Sequence, residues 1–511
     1  MKKYLYFFLL LPVFVFSQSA DQNYIMSITY KIPYQLQEIF EIGVPPLTVP
    51  LPDKIVNITY YDGLGRPSQQ VSNGLSGSGK DIITHIEYDA FGRQVKEYLP
   101  YGGSDFSGNY RPSALSETLS FYSSPPNPNS EATGNPFSEK TFEASPLNRV
   151  LKQGAPGNDW AVAALPTDTD HAVKFEYQVA APADAVRRFT AFSTWDAPSG
   201  LYIPALTNNG NYILGQVYKT ITKDENWTAS SGNNHTTQEF KDKEGRVILK
   251  RSYDQGVPHD TYYVYDQYGN LSYVIPPLSD GSISQLDGLC YQYKYDKNNR
   301  LAEKKLPGKA WEFIVYDKLD RIVATGPALV PFGGLAEGWL VSKYDIFNRI
   351  VYTGWYAGHQ CNSAERANIQ LLMNNATALS ESRSVSNVID NISIGYTNTA
   401  FPTLYYYLLT INYYDNYNFP NAIAVPQSVE SQPVLAEVKG LATGSWTRML
   451  TNEGEFNGEA SQFFYDTKGR IVRTSHKNHM DGYDIIDSRL DFIGKTEYSI
   501  KHHEGPASHG G

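Results

Sequence analysis

Two histidines and an aspartate come closest to a metal-binding pattern. His476, His479 and Asp481 lie in one short stretch, directly after a run that is typical of a β-strand. Imidazole nitrogens and carboxylate oxygens are ligands that zinc accepts. The stretch lacks the helical frame of a metal-binding motif and a third well-placed ligand. A solvated turn is the favoured interpretation, and we expect neither a metal nor another cofactor.

Aspartate is the second candidate, because it recurs in a six-residue phrase. The phrase is Tyr-Asp, two variable residues, then Gly, Asn or Asp, and usually Arg. Glycosidase chemistry needs two carboxyl groups that face one sugar bond at a defined separation. A catalytic residue is needed once, whereas an internal repeat indicates architecture. Since no Gly-x-Ser-x-Gly, Walker-type or His-Glu-x-x-His motif occurs, we expect no enzyme.

The phrase predicts a turn between two strands. Apolar and aromatic residues alternate before several copies, as Val56, Ile58 and Tyr60 do, and a period of two indicates a half-buried strand. The Asp can accept a backbone N–H two residues on, and the fifth position holds residues that tolerate positive φ. We therefore expect hairpins with a type I turn closed by a bulge. The Arg could pair with an Asp or stack on a tyrosine.

The predicted site is therefore structural and comprises the fixed positions of seven copies. These residues are Tyr61, Asp62, Gly65, Arg66, Tyr88, Asp89, Gly92, Arg93, Tyr265, Asp266, Gly269, Tyr295, Asp296, Asn299, Arg300, Tyr316, Asp317, Asp320, Arg321, Tyr344, Asp345, Asn348, Arg349, Tyr465, Asp466, Gly469 and Arg470. A looser copy at residues 240–246 is interpreted as carrying one inserted residue. Degenerate copies are expected at residues 145–150, 414–418 and 490–495.

Composition favours an extracellular β-rich protein. The 511 residues include 39 tyrosines, and only 19% are charged. The net charge of −10 argues against nucleic acid as a partner.

Targeting signals and cysteines bear on the compartment. Residues 1–17 combine a positive start with an apolar core, which predicts a secretory signal peptide and no transmembrane anchor. Cys290 and Cys361 are the only cysteines, and the sequence leaves open whether they are bridged. Residues 101–139 are rich in Gly, Pro, Ser and Asn and predict a long loop. Residues 363–379 predict one short helix with Ser363 as its N-cap.

The phrases resemble the YD repeats of the RHS/YD-repeat family, in particular its secreted bacteroidete members, which begin with a domain of uncharacterised function. The copies at Tyr61 and Tyr88 carry the resemblance, together with residues 219–227 and 239–247. It implies an all-β fold whose antiparallel hairpins form a continuous sheet that spirals into a partial shell. Full-length members enclose a C-terminal effector behind a core segment. We find neither segment here and expect a truncated product or one part of a split shell.

Together these features predict six regions. They are a signal peptide at 1–17, an RHS-type N-terminal domain with the first repeats at 18–150, a β-rich connection at 151–239, a repeat array at 240–356, an insertion with the helix and a degenerate repeat at 357–460, and a terminal repeat with a tail at 461–511.

The predicted function is that of a secreted or cell-surface structural shell protein of the kind found in polymorphic toxin systems. The expected partner is a separately encoded RHS core or effector segment. The alternative is a surface adhesin that binds glycans through aromatic loops. The tryptophans considered for that role are Trp160, Trp195, Trp227, Trp339, Trp355 and Trp446.

Overall fold

A computed structural model describes residues 21–30, 54–127, 129–163, 169–327, 337–384, 387–450 and 455–505. The expected signal peptide, the stretch 31–53 and the last six residues lie outside these ranges. The chain divides into two compact units. Unit 1 comprises Met1–Tyr177, Thr220–Thr237 and Tyr253–Gly256, and unit 2 comprises Gln178–Lys219, Gln238–Ser252 and Val257–Gly511. The six predicted region boundaries remain predictions.

The described chain is nearly all β, with 47% of residues in strands and 8% in helices. The first fourteen strands are β1 Asn23–Tyr30, β2 Lys54–Tyr61, β3 Pro67–Asn73, β4 Ile82–His85, β5 Lys96–Tyr98, β6 Tyr101–Gly102, β7 Phe137–Phe142, β8 Val150–Gly154, β9 Val173–Val179, β10 Arg187–Asp196, β11 Leu201–Asn211, β12 Tyr218–Lys223, β13 Thr236–Lys241 and β14 Val247–Asp254.

The remaining strands all belong to unit 2. They are β15 Val257–Tyr265, β16 Leu271–Ile275, β17 Tyr291–Tyr295, β18 Leu301–Lys305, β19 Trp311–Tyr316, β20 Ile322–Gly326, β21 Gly338–Tyr344, β22 Ile350–Ala357, β23 Val388–Ile389, β24 Ile392–Ser393, β25 Tyr406–Asp415, β26 Ser428–Val429, β27 Gln432–Pro433, β28 Val438–Arg448, β29 Gly458–Tyr465, β30 Ile471–Lys477, β31 Tyr483–Leu490 and β32 Thr496–Glu504. The helices are α1 Ala114–Ser123, α2 Ile283–Leu289 and α3 Ser363–Asn375, with short 3-10 turns at Pro182–Asp184 and Ala229–Ser231.

Unit 1 contains an antiparallel sheet in the order β1-β2-β3-β4-β6. Strand β2 alternates buried and more exposed residues, because successive side chains point to opposite faces. Its buried row, Val56, Ile58 and Tyr60, packs with Val71 and Ile83 into one core. Strands β5, β7, β8 and β9 form a second antiparallel ladder in this unit.

Unit 2 is dominated by a meander in which consecutive strands pair. Strands β15 to β22 follow one another antiparallel, and the ladder continues through β25, β28, β29, β30, β31 and β32. Two-residue hairpins, β23–β24 and β26–β27, lie in the segments that interrupt it. The predicted all-β class with long antiparallel sheets is thus confirmed.

The helices differ from expectation in three respects, one of which is the presence of helix α2 inside the predicted repeat array, where no helix was expected. The predicted helix ends at Asn375, and its N-cap is Asn362, whose side-chain oxygen accepts the Glu365 N–H, rather than Ser363. Helix α1 lies within the stretch that composition predicted to be a long loop. Ala114 and Thr118 are buried, so tertiary packing maintains a helix that local sequence does not favour.

Candidate functional site

Each repeat aspartate organises its own turn, as Asp317 illustrates. Its Oδ1 accepts the Leu319 N–H at 2.8 Å and the Arg321 N–H at 3.0 Å, while Oδ2 accepts Arg321 Nε at 2.7 Å. Asp320, at the fifth position of the phrase, has a φ of 59°. One carboxylate therefore caps the backbone of the turn and fixes the arginine that leaves it.

The same capping of the turn backbone recurs in all eight turns. The aspartate Oδ1 accepts both backbone N–H groups in every copy: Asp62, Asp89, Asp242, Asp266, Asp296, Asp317, Asp345 and Asp466. The fifth-position residues have φ between 58° and 85°. Six of the strands shift register at the Tyr position, as expected where a bulge closes the turn.

Arginine does two things at once in these turns. Arg321 pairs with its own Asp317, and its guanidinium lies 4.6 Å from the ring centre of Tyr344, the tyrosine of the next copy. Its Nη1 also donates to Asn348 Oδ1 at 3.0 Å in that copy. Arg300 repeats the arrangement with Tyr316 and Asp320. The arginine thus ties each turn to its successor.

Tyrosine completes the connection in the opposite direction. The Tyr316 hydroxyl donates to the Leu301 carbonyl at 2.8 Å, and the Tyr344 hydroxyl donates to the Ile322 carbonyl at 2.6 Å. Each acceptor directly follows the arginine of the preceding copy. We call this set of Asp, Arg and Tyr contacts the turn ladder. Unit 1 has the arginine contact as well, since Arg66 lies 4.3 Å from the Tyr88 ring centre.

Hydrogen bonding also affects the pKa of repeat carboxylates and therefore their suitability for acid–base catalysis. Backbone hydrogen bonds from Arg66 and Arg93 lower the pKa of Asp62 and Asp89. Burial works to raise the pKa of Asp466, but bonds from Arg470 and Lys468 outweigh it and the pKa lies below its ordinary value. Groups that stay ionised and are engaged by several donors are poorly suited to general acid–base catalysis near neutral pH.

The looser copy and one degenerate copy follow the same geometry. Asp242 and Arg246 have the ordinary spacing, with Lys241 at the tyrosine position, so the predicted inserted residue was wrong. The Asp491 and Lys495 backbones bond to each other, and Gly494 has a φ of 96°. An Asx turn tolerates many residue types at its variable positions, so the looser copy needs no inserted residue.

The stretch from His476 to Asp481, for which a turn was favoured over a metal site, is a turn of this kind. Asn478 occupies the aspartate position and accepts the Met480 and Gly482 N–H groups, and Asp481 has a φ of 63°. The signal was present in the sequence, because an Asn followed three residues later by Asp satisfies the same rules. Asp481 pairs with Lys477 at 2.7 Å.

The two histidines of this stretch meet a glutamate instead of Asp481. Glu459 lies 3.6 Å from His476 Nε2 and 3.4 Å from His479 Nδ1, and Ser461 Oγ lies 3.2 Å from His476 Nδ1. The side chains of His476, His479 and Glu459 are all more than a third exposed, so water competes for them. Across the described ranges, no group of three or more His, Cys, Asp or Glu side chains could hold a metal ion.

The structure separates the candidate tryptophans by exposure, and Trp446 is partly buried against a core cluster. Trp227, Trp339 and Trp355 are at most 8% exposed, so they cannot offer a ring face to a glycan. Trp160 and Trp195 are 41% and 42% exposed. Cys290 and Cys361 are not joined by a disulfide bond, since Cys290 lies in one core cluster and Cys361 packs against another.

Comparisons with known proteins give a limited result. Residues 45–177 match a family described as a domain of unknown function, DUF6443, and this description assigns no activity. No curated protein matches the chain. No helix of the described residues is long and apolar enough to cross a membrane.

Several solved structures are similar at low identity. A crystal structure of TcdB2-TccC3 is 13% identical with a TM-score of 0.38, covering 88% of this chain and 22% of that one. The same protein without its hypervariable C-terminal region is 13% identical with a TM-score of 0.38, and the match covers 90% of this chain and 24% of that one. A Photorhabdus luminescens Tc holotoxin pore with a TccC3 mutation is 13% identical with a TM-score of 0.38, and the match covers 88% of this chain and 22% of that one. This chain thus spans about a quarter of their length, and the scores are too low to support an argument.

Proposed function

We propose that this chain is a structural wall protein, part of an enclosing shell of the RHS/YD-repeat type, without catalytic activity of its own. The turn ladder is the observation that carries the proposal. An isolated hairpin is marginally stable in water. Contacts such as those of Arg321 with Asn348 and Tyr344 tie each hairpin to the next. Opening one hairpin then requires the loss of contacts with its neighbour, which keeps a wall closed.

The proposal includes a separately encoded partner that supplies the core or effector segment. Strand β32 supports this part, because it pairs with β31 and all nine of its residues are exposed. Side chains that are exposed along a whole strand leave a surface that another polypeptide can cover. We further propose that residues 1–17 direct secretion, which detection of the tagged chain in culture medium or on intact cells tests.

Protease protection tests the enclosing role. The full chain is co-expressed with the product of the adjacent reading frame, and the complex is treated with trypsin. We expect the product to be degraded when alone and protected in the complex. The variant Arg321→Ala removes a ladder contact and should reduce protection. The exposed Arg188 provides the matched control, Arg188→Ala, which should leave protection unchanged.

Two results would contradict the proposal. One is full trypsin sensitivity of the product in the wild-type complex. The other is turnover of a polysaccharide or peptide by the purified chain alone, since the repeat carboxylates are engaged in turns and no wall role requires catalysis.

A further inference from the structure

A buried lysine in unit 2 lies against a glutamate and an asparagine side chain. Lys343 is on β21, while Glu381 and Asn398 lie in the chain between α3 and β25. The Lys343 and Glu381 side chains are 1% and 0% exposed, so this charged pair is almost fully removed from water. The proposed wall role uses none of these residues, and a buried ion pair is by itself weak evidence for stability.

The Lys343 amine is close to the amide carbon of Asn398. Its Nζ donates to Asn398 Oδ1 at 2.5 Å and to Glu381 Oε1 at 3.2 Å. The third acceptor is the Ala400 carbonyl at 2.8 Å. The amide carbon lies one carbonyl bond beyond Oδ1, so Nζ is within about 3.7 Å of it. That distance is close to the near-attack separation of about 3–3.5 Å.

The surroundings favour the neutral, nucleophilic form of this lysine. Tyr352 and Tyr406 are 0% and 8% exposed, and their ring centres lie 5.2 Å and 5.1 Å from Lys343 Nζ. Burial lowers the pKa of Lys343 to about 8, so its ammonium group loses a proton more readily than that of an exposed lysine. A desolvated lysine amine is a nucleophile towards carbonyl carbon.

The Asn398 amide is oriented and polarised for attack. The Tyr406 hydroxyl donates to Oδ1 at 2.8 Å, and Asn398 Nδ2 donates to the Thr403 carbonyl at 2.9 Å. Burial raises the pKa of Tyr406, so its hydroxyl keeps its proton and can stabilise negative charge that develops on Oδ1. The bond to Thr403 fixes the oxygen end of the amide towards the lysine.

Glu381 is placed to move protons between the two nitrogen atoms. Its Oε1 accepts the Ala400 N–H at 2.9 Å, and its Oε2 accepts the Thr397 hydroxyl at 2.6 Å. The Thr399 N–H donates to both oxygens. These bonds hold the carboxylate beside Lys343. A carboxylate within hydrogen-bond reach of an amine can take its proton and later give a proton to the leaving group.

We propose that Lys343 and Asn398 become joined by an amide bond that the folded chain forms without another enzyme. Glu381 accepts a proton from the Lys343 ammonium group, and the neutral Nζ attacks Cγ of Asn398. The Cγ–Nζ bond forms, the Cγ–Nδ2 bond breaks, and Nδ2 leaves as ammonia. Nζ gives up two protons in all, of which one leaves with the ammonia and the other stays on Glu381. The step therefore balances without an oxidant or a co-reactant.

The bond fastens strand β21 to the segment before β25, across 55 positions of the sequence. A covalent link between distant positions restricts the unfolded chain, as a disulfide does. The proposal does not depend on the wall role, because the reaction needs only the three side chains and the tyrosine beside them.

Mass spectrometry of the purified full chain tests the proposal. The wild-type protein should be lighter than its sequence by one ammonia molecule, counted from the N-terminus found in the same sample. Digestion with trypsin and chymotrypsin should give a branched peptide that joins Lys343 to Asn398. Both signals should be absent from Lys343→Met and Asn398→Ala, and absent or strongly reduced in Glu381→Gln.

Lys294→Met is the matched control, because Lys294 pairs with another buried glutamate, Glu303, at 2.8 Å. This variant should keep both the mass deficit and the branched peptide. The wild-type digest decides the question without any variant, so a variant that fails to fold does not prevent the test.

Three results would overturn the proposal. The first is a wild-type digest in which Lys343 ends an ordinary tryptic peptide and no branched peptide occurs. The second is a branched peptide that joins Lys343 to Glu381 with loss of water, which would make the glutamate the electrophile. The third is a mass deficit that persists in Asn398→Ala, which would place the lost ammonia elsewhere in the chain.

Discussion

Replacing Asp317 with Asn should destabilise unit 2 far more than the same change at Asp62 destabilises unit 1. The Asp317 and Arg321 side chains are 2% and 8% exposed, whereas those of Asp62 and Arg66 are 26% and 35% exposed. Asn keeps one oxygen for the turn backbone but presents an NH₂ group to the guanidinium. Two charge-assisted bonds, at 2.7–2.8 Å, are therefore lost in each variant.

The expected cost for Asp317→Asn follows from burial. Each lost bond to a charged group contributes about 1.5–3 kcal/mol, and breaking a buried ion pair costs about 3–5 kcal/mol. Arg321 keeps its contacts with Asn348 and Tyr344, which places the expected loss near 3 kcal/mol, at the lower end of that range. Water can replace the lost partner at the exposed Asp62, so the loss there should be clearly smaller.

Urea unfolding followed by circular dichroism and tryptophan fluorescence measures this difference. A loss near 3 kcal/mol lowers the midpoint by about 1 M if the slope is about 3 kcal/mol per M. The double variant Asp317→Asn with Arg321→Gln removes the unpaired charge and should recover part of the loss. The reasoning is refuted if Asp317→Asn unfolds within about 0.5 kcal/mol of the wild type, the ordinary scatter of surface changes.

Three further perturbations have defined outcomes. The pKa of Asp466 is lowered, so it stabilises the fold above its unfolded pKa of about 3.9. This contribution is lost below that pH, and Asp466→Asn should flatten the acid-unfolding profile there. Glu381→Ala leaves Lys343, whose pKa burial lowers to about 8, without its buried counter-charge, and should cost about 3–5 kcal/mol in urea unfolding. Gly458→Ala places a Cβ about 2.4 Å from the Trp446 ring and should lower the melting temperature through overpacking of about 1–3 kcal/mol.

The last two of these have control variants. Gly288→Ala adds a Cβ that meets nothing within 4 Å in helix α2, so it should leave the melting temperature unchanged or raised. Glu381→Gln keeps one acceptor oxygen, which can serve both the Thr399 and the Ala400 N–H groups, and should cost less than Glu381→Ala. An Asp466→Asn profile that parallels the wild type below pH 4 (about its unfolded pKa) would contradict the assigned linkage.

Local chemistry in the sequence determined the hairpins of this protein. The Asp at the second position and a residue that tolerates positive φ at the fifth specify a turn within five residues, so no distant contact is needed. Alternation of apolar residues likewise specified strands such as β2. The same rules specify the turn at Asn478, although the histidines beside it raised the alternative of a metal site.

Tertiary structure alone decided which turns meet and what surrounds them. The Tyr344 hydroxyl contacts the carbonyl of a residue 22 positions earlier in the sequence. The pairing of neighbouring strands brings these two groups together in space. Helix α1 forms because its buried face packs on a sheet, not because its sequence favours a helix. The site at Lys343 includes Glu381 and Asn398, which follow 38 and 55 positions later in the sequence. No local pattern can encode a site whose parts converge only when distant segments pack together.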